Sequence, residues 1–434
     1  MDNVGRSDPQ PNLGGASDLL IIGAGPGGYR TAEYAAKQGL KVTIFESDEV
    51  GGTCLNVGCI PTKTYVHAAS FAEARERMPQ VVAQLRAGVE GILSHPNITL
   101  IREKASFVDA RTVTCPVCGD IIATKAIIIA TGSETKWLPL PDIGSDPRVV
   151  DSTGLLRLDT LPRRLAIIGA GVIGMEFASV FQRFGSEVTV IEYLKECLPA
   201  LDSDIAKRLR KTLEKQGITF KMKTAVQSLA DIDADVILMA TGRHPRTEGL
   251  NLQAAGITLA PNGSIPVDEH FRCVCGNTIA TNDVYAIGDV NGRQMLAHAA
   301  EMQGIHVVNQ ILGKPDNIRF DIMPAAIFTE PEAASVGPSE DQLKAEGTPY
   351  ECRKAFWRAN GKALAMNETE GLLKLFSAPD AGLILGCHAF GAHAVDIIQE
   401  VSVLMCMGAT VEQLRSMVHI HPTLSEILLS AAEA

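Results

Sequence analysis

The chain has 434 residues, of which 46% are hydrophobic and 21% are charged, and its formal net charge is −11. A chain this long usually divides into several hydrophobic cores, so two to four domains are expected. The negative charge argues against a nucleic acid or an anionic membrane as the main partner. No apolar run reaches the roughly 20 residues that cross a bilayer. The polar N-terminal segment does not resemble a signal peptide, and ten cysteines in so long a chain do not resemble a secreted disulfide framework, so the cytoplasm is the expected location.

The first predicted unit is a strand, a glycine-rich turn, a helix and a second strand. The predicted strands cover residues 18–22 and 41–45, and the predicted helix covers residues 29–38. The turn reads Gly-Ala-Gly-Pro-Gly-Gly, and the second strand runs into a glutamate. In this arrangement the glycines allow a tight turn, the helix N-terminus faces a pyrophosphate, and the carboxylate accepts hydrogen bonds from ribose hydroxyls. The sequence therefore predicts a dinucleotide site formed by Gly23, Gly25, Gly28 and Glu46.

Two cysteines, Cys54 and Cys59, follow this unit and are five positions apart. They lie in the stretch Gly-Gly-Thr-Cys-Leu-Asn-Val-Gly-Cys-Ile-Pro-Thr-Lys, which ends at Lys63. A disulfide needs Cα atoms about 4.4–6.8 Å apart, whereas an unbroken helix separates such positions by about 7.5 Å through its rise alone. We therefore expect Gly58 to bend the backbone so that the two sulfurs meet. Two buried thiols in a reduced interior are the alternative, but they leave the glycines and the Pro-Thr-Lys segment unexplained.

The strand–turn–helix–strand unit recurs later in the chain. Its predicted strands cover residues 165–168 and 187–191, its helix covers residues 175–184, and its turn reads Gly-Ala-Gly-Val-Ile-Gly. The offset from first glycine to terminal glutamate is 23 residues in both copies, from Gly23 to Glu46 and from Gly169 to Glu192. One such motif alone is a generic pattern, but two copies with equal spacing predict two dinucleotide sites. The second site is formed by Gly169, Gly171, Gly174 and Glu192.

Two apolar runs form a further matched pair, over residues 126–130 and 235–240. Each run closes with Ala-Thr-Gly, and we assign Thr131, Gly132 and Gly242 to the two cofactor sites. The carboxylate of Glu192 suits a free ribose 2′-hydroxyl and repels a 2′-phosphate, which an arginine would accommodate. The four residues that follow Glu192 contain a lysine but no arginine, so NAD is favoured over NADP.

The remaining predicted elements lie nearer the C-terminus. Residues 284–290 form an apolar strand that ends in Gly-Asp, which by itself is also a common turn. Beyond residue 323 no dinucleotide motif occurs, and the pattern predicts strands followed by helices. Thr423 and Glu426 have the spacing of a capping box, which predicts a helix with Thr423 as its N-cap. The predicted strands cover residues 325–328, 371–376 and 382–389, and the predicted helices cover residues 394–407 and 411–417.

The cysteine stretch resembles the redox-active motif of the flavin-dependent pyridine-nucleotide disulfide oxidoreductases, and most closely that of their dihydrolipoamide dehydrogenase branch. The resemblance covers about residues 18–426. It implies that the first dinucleotide site holds FAD, with Asp289 against the ribityl chain, and that the second holds NAD. It also implies that Lys63 lies near the flavin and pairs with Glu176. An ordinary exposed lysine is the alternative for Lys63.

The resemblance assigns catalytic roles to four further residues. A substrate thiolate attacks Cys54, while Cys59 lies nearest the flavin and passes electrons to it. His421 is the acid–base group, oriented by Glu426, and it reaches the disulfide of the other subunit of a homodimer. His419 lacks the proline that follows the histidine in the family motif.

The expected fold class is α/β, with two Rossmann-like dinucleotide-binding domains, for FAD and NAD, and an α+β C-terminal dimerisation domain. The FAD domain is discontinuous in this interpretation. The expected boundaries are 1–150 for the FAD domain, 151–265 for the NAD domain, 266–322 for the return to the FAD or central domain, and 323–434 for the dimer-interface domain. The segment between residues 78 and 99 is shorter than is usual for the family, which would alter the helical wall above the first domain.

The function that the resemblance implies is oxidation of dihydrolipoamide to lipoamide through Cys54 and Cys59, with FAD and then NAD as electron acceptors. The expected partners are the dihydrolipoyl groups of a 2-oxo acid dehydrogenase or of a glycine-cleavage lipoyl protein. Neither a nucleic acid nor a membrane is expected as a partner. Another NAD(P)H-dependent disulfide reductase, similar to glutathione reductase, is the alternative. Such reductases favour NADPH, and Glu192 argues against that cofactor.

Four other cysteines depart from the family pattern. Cys115 and Cys118 lie in Cys-Pro-Val-Cys-Gly, which resembles a zinc knuckle, and Cys273 and Cys275 lie in Cys-Val-Cys-Gly. If the strands that follow the two pairs are parallel neighbours, four thiolates would be available for a structural metal site. Free thiols at hairpin tips are the alternative, and we assign no metal ligand.

Overall fold

The computed structural model describes residues 15–275, 278–279, 283–380 and 382–434. The chain forms two compact units, each assembled from separate stretches of sequence. The first unit contains the residues through Ile60, Gln80–Glu134 and Arg243–Ile318. The second unit contains Pro61–Pro79, Thr135–Gly242 and Arg319–Ala434.

Short strands alternate with helices along most of the chain. The strands are β1 (Ala16–Ile22), β2 (Val42–Phe45), β3 (Ile98–Ile101), β4 (Ser106–Phe107), β5 (Thr112–Cys115), β6 (Gly119–Ile129), β7 (Ser133–Thr135), β8 (Val149–Val150), β9 (Arg164–Ile168), β10 (Glu187–Ile191), β11 (Thr219–Lys221), β12 (Val236–Met239), β13 (Arg243–Pro245), β14 (Val274–Cys275), β15 (Thr278–Ile279), β16 (Val284–Ala286), β17 (Ala325–Ile327), β18 (Glu332–Val336), β19 (Glu351–Phe356), β20 (Leu372–Ser377) and β21 (Ile384–Gly391).

The α-helices follow the same chain order. They are α1 (Pro26–Lys37), α2 (Gly52–Val57), α3 (Cys59–Val66), α4 (Phe71–Leu93), α5 (Ser152–Leu156), α6 (Val172–Phe184), α7 (Ser203–Lys215), α8 (Ala297–Ile311), α9 (Glu340–Glu346), α10 (Gly361–Met366), α11 (Ala394–Cys406), α12 (Val411–Arg415) and α13 (Glu426–Glu433).

The first unit is built on a sheet with strand order β3-β2-β1-β6-β5-β4, and β16 also pairs with β6. The pairs β1–β2, β1–β6, β2–β3 and β16–β6 are parallel, whereas β4–β5 and β5–β6 are antiparallel. Strand β2 is buried at every position, as a strand covered on both faces must be. Strand β16 returns to this sheet after the chain has passed through the second unit, so the first unit is discontinuous.

The second unit contains two sheets. A parallel sheet has the order β11-β10-β9-β12-β8, and an antiparallel sheet has the order β17-β18-β21-β20-β19. Helix α6 follows β9 and packs its buried face, including Phe177 and Phe181, into the apolar core of this unit. Two sheets with parallel strands of the dinucleotide-binding type, one of them extended by antiparallel strands, and a C-terminal antiparallel sheet with helices confirm the predicted fold class.

Most predicted element types are confirmed, but several boundaries differ. The strand predicted for residues 284–290 ends at Ala286, and Gly288–Asn291 form a short 3-10 helix that contains the predicted Gly-Asp turn. Helix α1 begins at Pro26 and helix α6 at Val172, each directly after the second glycine of its turn, so both helices begin three residues earlier than the apolar pattern indicated. Helix α3 begins at Cys59 and contains the Pro-Thr-Lys segment. Residues 78–93 of the segment that we expect to be short belong to the long helix α4, and the segment ends in β3.

The capping prediction for Thr423 is wrong. Helix α13 begins at Glu426, and the residue at its N-cap is Ser425. The Thr423 hydroxyl donates to the Ile420 carbonyl instead, at 2.7 Å. Only half of a capping box forms, because the Glu426 carboxylate accepts the backbone N–H of Thr423 at 2.8 Å.

A disulfide joins Cys115 and Cys118 across the β5–β6 turn, with their Cα atoms 5.4 Å apart. Cys273 is fully buried, whereas the Cys275 side chain and Gly276 lie outside the described residues. Within the described ranges, no group of three or more His, Cys, Asp or Glu side chains is arranged to hold a metal ion. The structure thus gives no support for a four-cysteine metal site.

Of the helices that the structure describes, none combines the length and the apolar character that crossing a membrane requires.

Candidate functional site: two dinucleotide turns, a cysteine pair and a C-terminal histidine

The first glycine turn joins β1 to α1 in the first unit. Gly23 has a φ of +104°, and a Cβ there would lie 2.4 Å from the carbonyl oxygen of Ala130. A Cβ on Gly28 would lie 1.8 Å from the carbonyl oxygen of Gly23, so the helix packs directly on the turn. At Gly25 the nearest neighbour of a Cβ would be 3.9 Å away. The turn is therefore closed towards the protein and open beside the N-terminus of α1, where a pyrophosphate can approach the backbone.

The second glycine turn, between β9 and α6 in the second unit, has the same geometry. Gly169 has a φ of +106°, and a Cβ there would lie 2.4 Å from the carbonyl oxygen of Ala240. A Cβ on Gly174 would lie 2.0 Å from the carbonyl oxygen of Gly169, whereas one on Gly171 would meet nothing within 4 Å. The repeat seen in the sequence is thus a repeat in backbone geometry.

A glutamate closes each turn in the same way. The Glu46 carboxylate accepts the backbone N–H of Ala24 at 2.8 Å and that of Asp48 at 3.0 Å. The Glu192 carboxylate accepts the backbone N–H of Ala170 at 2.6 Å and that of Leu194 at 2.7 Å. Each carboxylate is thereby held beside the turn with lone pairs left for ribose hydroxyls.

The two Ala-Thr-Gly segments also match. Each follows a strand of its own parallel sheet, and its alanine carbonyl is the group that contacts the first glycine of the turn. Thr131 donates its hydroxyl to the Arg246 carbonyl at 2.6 Å, next to Gly132 with φ +73°. Gly242 has φ +113°, and its carbonyl accepts the backbone N–H of Lys136 at 3.0 Å. These segments therefore line the carboxyl ends of the strands, which is where open α/β sheets bind ligands.

Asp289 follows β16 and is held by two residues that the sequence analysis missed. The buried Ser133 hydroxyl donates to Asp289 Oδ2 at 2.5 Å and accepts a hydrogen bond from Arg243 Nε at 2.7 Å. Arg243 also donates to the Ser133 carbonyl at 2.6 Å. Ser133 directly follows the first Ala-Thr-Gly, and Arg243 directly follows the second. This position in the repeat was the signal that could have identified both.

The cysteine pair lies on two consecutive helices that meet at Gly58. Cys54 is half-buried in α2, and Cys59 is exposed as the first residue of α3. A Cβ on Gly58 would lie 2.8 Å from the Thr53 carbonyl oxygen and 3.2 Å from the Cys54 Cα, so only glycine fits this close approach. The expected break at Gly58 is present. The side chain of Asn56 supports it by donating to the carbonyls of Val50 at 3.0 Å and Gly52 at 2.9 Å.

In the second unit, Lys63 forms an ion pair with Glu176, as the resemblance implied. The Lys63 ammonium donates to both Glu176 oxygens at 2.9 Å. The same carboxylate accepts the backbone N–H of Phe328 at 3.0 Å. The phenyl ring of Phe328 lies 4.5 Å from the Lys63 nitrogen, measured to the ring centroid. Lys63 is therefore not an ordinary exposed lysine, and Phe328 is a third residue that the sequence analysis missed.

His421 and Glu426 are paired near the C-terminus. His421 Nδ1 lies 2.9 Å from Glu426 Oε1, and 79% of the histidine side chain is exposed. Hydrogen bonds from the Thr423 backbone and from His421 lower the pKa of the Glu426 carboxyl. The ionised carboxylate can only accept, so Nδ1 carries the proton and Nε2 is left to exchange protons with a ligand. His419 instead lies 3.1 Å from Glu400, and its side chain is buried.

Comparison with known protein families accounts for almost the whole chain. The family model described as pyridine nucleotide-disulphide oxidoreductase matches residues 17–304, and the dimerisation domain of the same family matches residues 323–432. The chain belongs to the pyridine nucleotide-disulphide oxidoreductase family. It is therefore an oxidoreductase, and the suspected family membership is confirmed.

Curated relatives of this oxidoreductase match it over nearly their full length. The mitochondrial dihydrolipoyl dehydrogenase of Pisum sativum is 37% identical over 96% of this chain and 91% of the relative. The dihydrolipoyl dehydrogenase of Geobacillus stearothermophilus is 37% identical over 96% of both chains. Leghemoglobin reductase of Glycine max is 36% identical over 96% of this chain and 87% of the relative.

A solved structure gives the same family placement. The HOCl-induced flavoprotein disulfide reductase RclA from Escherichia coli is 32% identical and superimposes with a TM-score of 0.88, over 96% of this chain and 99% of RclA. The expected cofactors are confirmed at this level, because the oxidoreductases of this family use FAD and NAD(H). The two open glycine turns and their glutamates suit two dinucleotides.

Proposed function

We propose that this oxidoreductase converts the dithiol of dihydrolipoyl groups to the cyclic disulfide and reduces NAD. The observation that carries the proposal is the Cys54–Cys59 pair, placed at a glycine-enforced break that follows β2 and Glu46 of the first dinucleotide-binding unit. The relatives named dihydrolipoyl dehydrogenase support the substrate class. The first turn, with Gly23, Gly25, Gly28 and Glu46, would hold FAD together with Thr131, Gly132 and Asp289. The second turn, with Gly169, Gly171, Gly174 and Glu192, would hold NAD together with Gly242.

Acid–base catalysis falls to His421 and Glu426 in this proposal. The Glu426 carboxylate fixes the imidazole through Nδ1, so that Nε2 accepts the proton of a substrate thiol. The exposure of the His421 ring in the isolated chain supports a role towards a second subunit. We assign the proton transfer to His421 of the partner subunit, acting at the cysteine pair of this one.

The cysteine chemistry proceeds by thiol–disulfide exchange. The deprotonated substrate sulfur attacks Cys54 Sγ of the oxidised pair, forms a mixed disulfide and releases Cys59 as a thiolate. The second substrate thiol then attacks the substrate sulfur of that mixed disulfide, closes the ring and releases the Cys54 thiolate. The substrate loses two electrons and two protons: the cysteine pair gains the two electrons, His421 takes the first proton, and the Cys54 thiolate takes the proton of the second thiol.

FAD, when bound, supplies two-electron transfer between a thiolate and a nicotinamide. The residues of this chain would position the reacting groups. Cys59 begins the helix that also carries Lys63, and Glu176 forms an ion pair with Lys63. Glu192 selects NAD, because its carboxylate accepts ribose hydroxyls and repels a 2′-phosphate.

A homodimer is part of the proposal. The dimerisation-domain match supports it, and several exposed apolar side chains within residues 323–432 support it independently.

We further propose the cytoplasm as the location and a lipoyl protein of a 2-oxo acid dehydrogenase or of the glycine-cleavage system as the partner. Bacterial relatives named dihydrolipoyl dehydrogenase support this choice. The domain boundaries stated from the sequence, at residues 150, 265 and 322, belong to the same proposal.

The test is NAD reduction by the purified holoenzyme with dihydrolipoamide, compared with Cys54→Ser. We expect the substitution to lower turnover by more than about a thousandfold, because the attacked sulfur is removed. Bound flavin should be retained, since Cys54 is outside the glycine turn. Cys406→Ser is the matched control, because Cys406 is also an accessible cysteine but lies in α11.

Full turnover by Cys54→Ser would contradict the dithiol relay. An inactive wild-type enzyme that binds FAD would contradict the substrate and leave the family assignment intact.

A disulfide reductase is the second candidate function, because RclA, a flavoprotein disulfide reductase, is 32% identical over 96% of this chain. The two functions differ in the direction of electron flow and in the preferred nucleotide. Oxidised glutathione and lipoamide, each tested with NADH and with NADPH, separate them. Reduction of glutathione with NADPH would favour the second candidate.

A further inference from the structure

We propose that Phe328 is a positioning residue that holds the Lys63 ammonium beside Glu176 through its ring face and its backbone. This inference rests on the proposed function, in which Lys63 acts near the bound flavin. Lys63, Glu176 and Phe328 belong to the second unit and come from α3, α6 and the end of β17. Phe328 does not take part in thiol chemistry, and it acts only through Lys63.

The Glu176 carboxylate connects the other two residues. The Glu176 side chain is only 5% exposed, and both of its carboxylate oxygens accept hydrogen bonds from the Lys63 ammonium. Its Oε1 also accepts the Phe328 backbone N–H at 3.0 Å. The backbone of Phe328 is therefore fixed to the same carboxylate that binds Lys63. A shift of the phenyl ring away from the ammonium would require this hydrogen bond to change as well.

The ring provides the second contact. The Lys63 nitrogen lies 4.5 Å from the ring centroid, within the range of a cation–π interaction, and the lysine side chain is 26% exposed. Such contacts strengthen as water is excluded, so this one is stronger than a contact on an open surface. Carboxylate and ring together fix a flexible four-carbon side chain that would otherwise sample many rotamers.

A purely structural role for Phe328 makes a different prediction. If the ring only filled space, any apolar side chain of similar volume would serve, and loss of the aromatic face would leave Lys63 unchanged. If the ring holds the ammonium, Phe328→Leu releases Lys63, whereas Phe328→Tyr retains the π face and the position. The comparison of these two variants therefore separates packing from positioning.

The experiment is competitive labelling of the FAD-loaded enzyme with a limiting amount of acetic anhydride, followed by mass spectrometry of the Lys63 peptide. The exposed Lys37 serves as internal reference within each sample. We expect Phe328→Leu to raise the Lys63/Lys37 labelling ratio by about threefold to tenfold, because the released side chain extends into solvent more often. Phe328→Tyr should stay within about twofold of the wild type, since it keeps the cation–π contact.

Phe356→Leu is the matched control. Phe356 is also half-buried in the second unit, and its ring lies 4.3 Å from the Arg358 guanidinium. This variant should leave Lys63 labelling unchanged. If Phe328→Leu fails to fold, Phe328→Met carries the same test, because methionine fills the site without an aromatic face.

The reduction potential of the bound flavin gives a second measurement. A held cation stabilises the electron-rich reduced form, so we expect Phe328→Leu to shift the potential to a more negative value and Phe328→Tyr to restore it. Wild-type labelling in Phe328→Leu would overturn the inference. Increased labelling in an enzyme that does not oxidise dihydrolipoamide would overturn the proposed function and leave the inference standing.

Discussion

Glu426 illustrates what a single residue contributes at the candidate site. Its carboxylate accepts a hydrogen bond from His421 Nδ1 at 2.9 Å and another from the Thr423 backbone N–H at 2.8 Å. These hydrogen bonds lower its pKa. A carboxyl group with a lowered pKa stays ionised as the pH falls through its ordinary range, so the imidazole keeps its acceptor in mildly acidic solution.

We predict that Glu426→Gln lowers kcat with dihydrolipoamide by about tenfold to a hundredfold, because a neutral amide neither fixes the tautomer nor stabilises the imidazolium. Steady-state kinetics between pH 5 and pH 8 would measure this loss, which should persist across the range because an amide does not titrate. Glu412→Gln is the control, since Glu412 is an exposed glutamate in the neighbouring helix α12 and forms a surface ion pair with Arg415 at 3.2 Å. Unchanged kcat in Glu426→Gln would contradict the assignment.

At the scale of elements, a buried ion cluster joins helix α7 and helix α9 to the antiparallel sheet of the second unit. The Lys374 ammonium, on β20, donates to both Asp202 oxygens at 2.7 Å and to Glu340 Oε2 at 2.6 Å. Asp202 is the N-cap of α7 and also accepts the backbone N–H of Glu340. Lys374 and Asp202 are almost fully buried, so each charge depends on the other.

We predict that Lys374→Met lowers the free energy of unfolding by about 3–5 kcal/mol, because Asp202 is left as a buried, unpaired charge. Urea unfolding followed by circular dichroism would measure this change in the free energy of unfolding. Lys344→Met is a sharp control, because Lys344 pairs with the same Glu340 at 2.8 Å but its side chain is 63% exposed. An exposed pair contributes at most about 1 kcal/mol. Equal losses in the two variants would contradict the importance of burial.

The contribution of this ion cluster to the stability of the fold falls as the pH is lowered. Partial burial raises the pKa of Glu340, but hydrogen bonds from Lys344, Lys374 and Tyr350 outweigh it and lower the pKa to about 2. A depressed carboxyl pKa stabilises the fold at pH values above the ordinary pKa, and this contribution is lost as the pH falls from about 4.5 towards 2. In Glu340→Gln the urea midpoint should therefore depend less on pH in this window than in the wild type.

At the scale of the whole molecule, the apolar side chains left exposed in the C-terminal segment indicate a partner surface. Val403, on α11, and Met407, the residue that directly follows this helix, are four positions apart and lie on one face, with 54% and 79% exposure. Val418 is 100% exposed and Ile420 is 79% exposed, directly before His421. Exposed apolar residues concentrated in one segment are typical of an interface, and this segment matches the family's dimerisation domain.

We predict that Ile420→Asp converts the enzyme from dimer to monomer in sedimentation velocity experiments and abolishes dihydrolipoamide oxidation. The reason is that a charge buried at an interface is strongly unfavourable, and the catalytic His421 acts across the interface in our proposal. Val117→Asp is the control, since Val117 is a similarly exposed apolar residue in the β5–β6 turn of the first unit. A fully active monomer would contradict catalysis across subunits.

The sequence by itself determined the features that depend on local backbone chemistry. Glycine spacing predicted both dinucleotide turns, because only glycine tolerates the positive φ of Gly23 and Gly169 and the close helix contact of Gly28 and Gly174. Gly58 predicted the break between the cysteine helices for the same steric reason. These residues act on neighbours within a few positions, so their pattern is visible along the chain.

The tertiary structure alone decided which distant side chains meet. Ser133 and Asp289 are 156 residues apart, and Lys374 and Asp202 are 172 residues apart, so no local pattern revealed either pair. In the sequence, Phe328 has only the pattern of the last residue of an apolar strand. The structure alone shows its ring centroid 4.5 Å from the Lys63 nitrogen. The failed Thr423 cap has a local origin instead, because the Thr423 hydroxyl donates to the Ile420 carbonyl and does not cap the helix, although the Glu426 carboxylate accepts the Thr423 backbone N–H. Long-range hydrogen bonds and ion pairs override local preference wherever a polar group is buried, because a buried group must find a partner wherever the fold provides one.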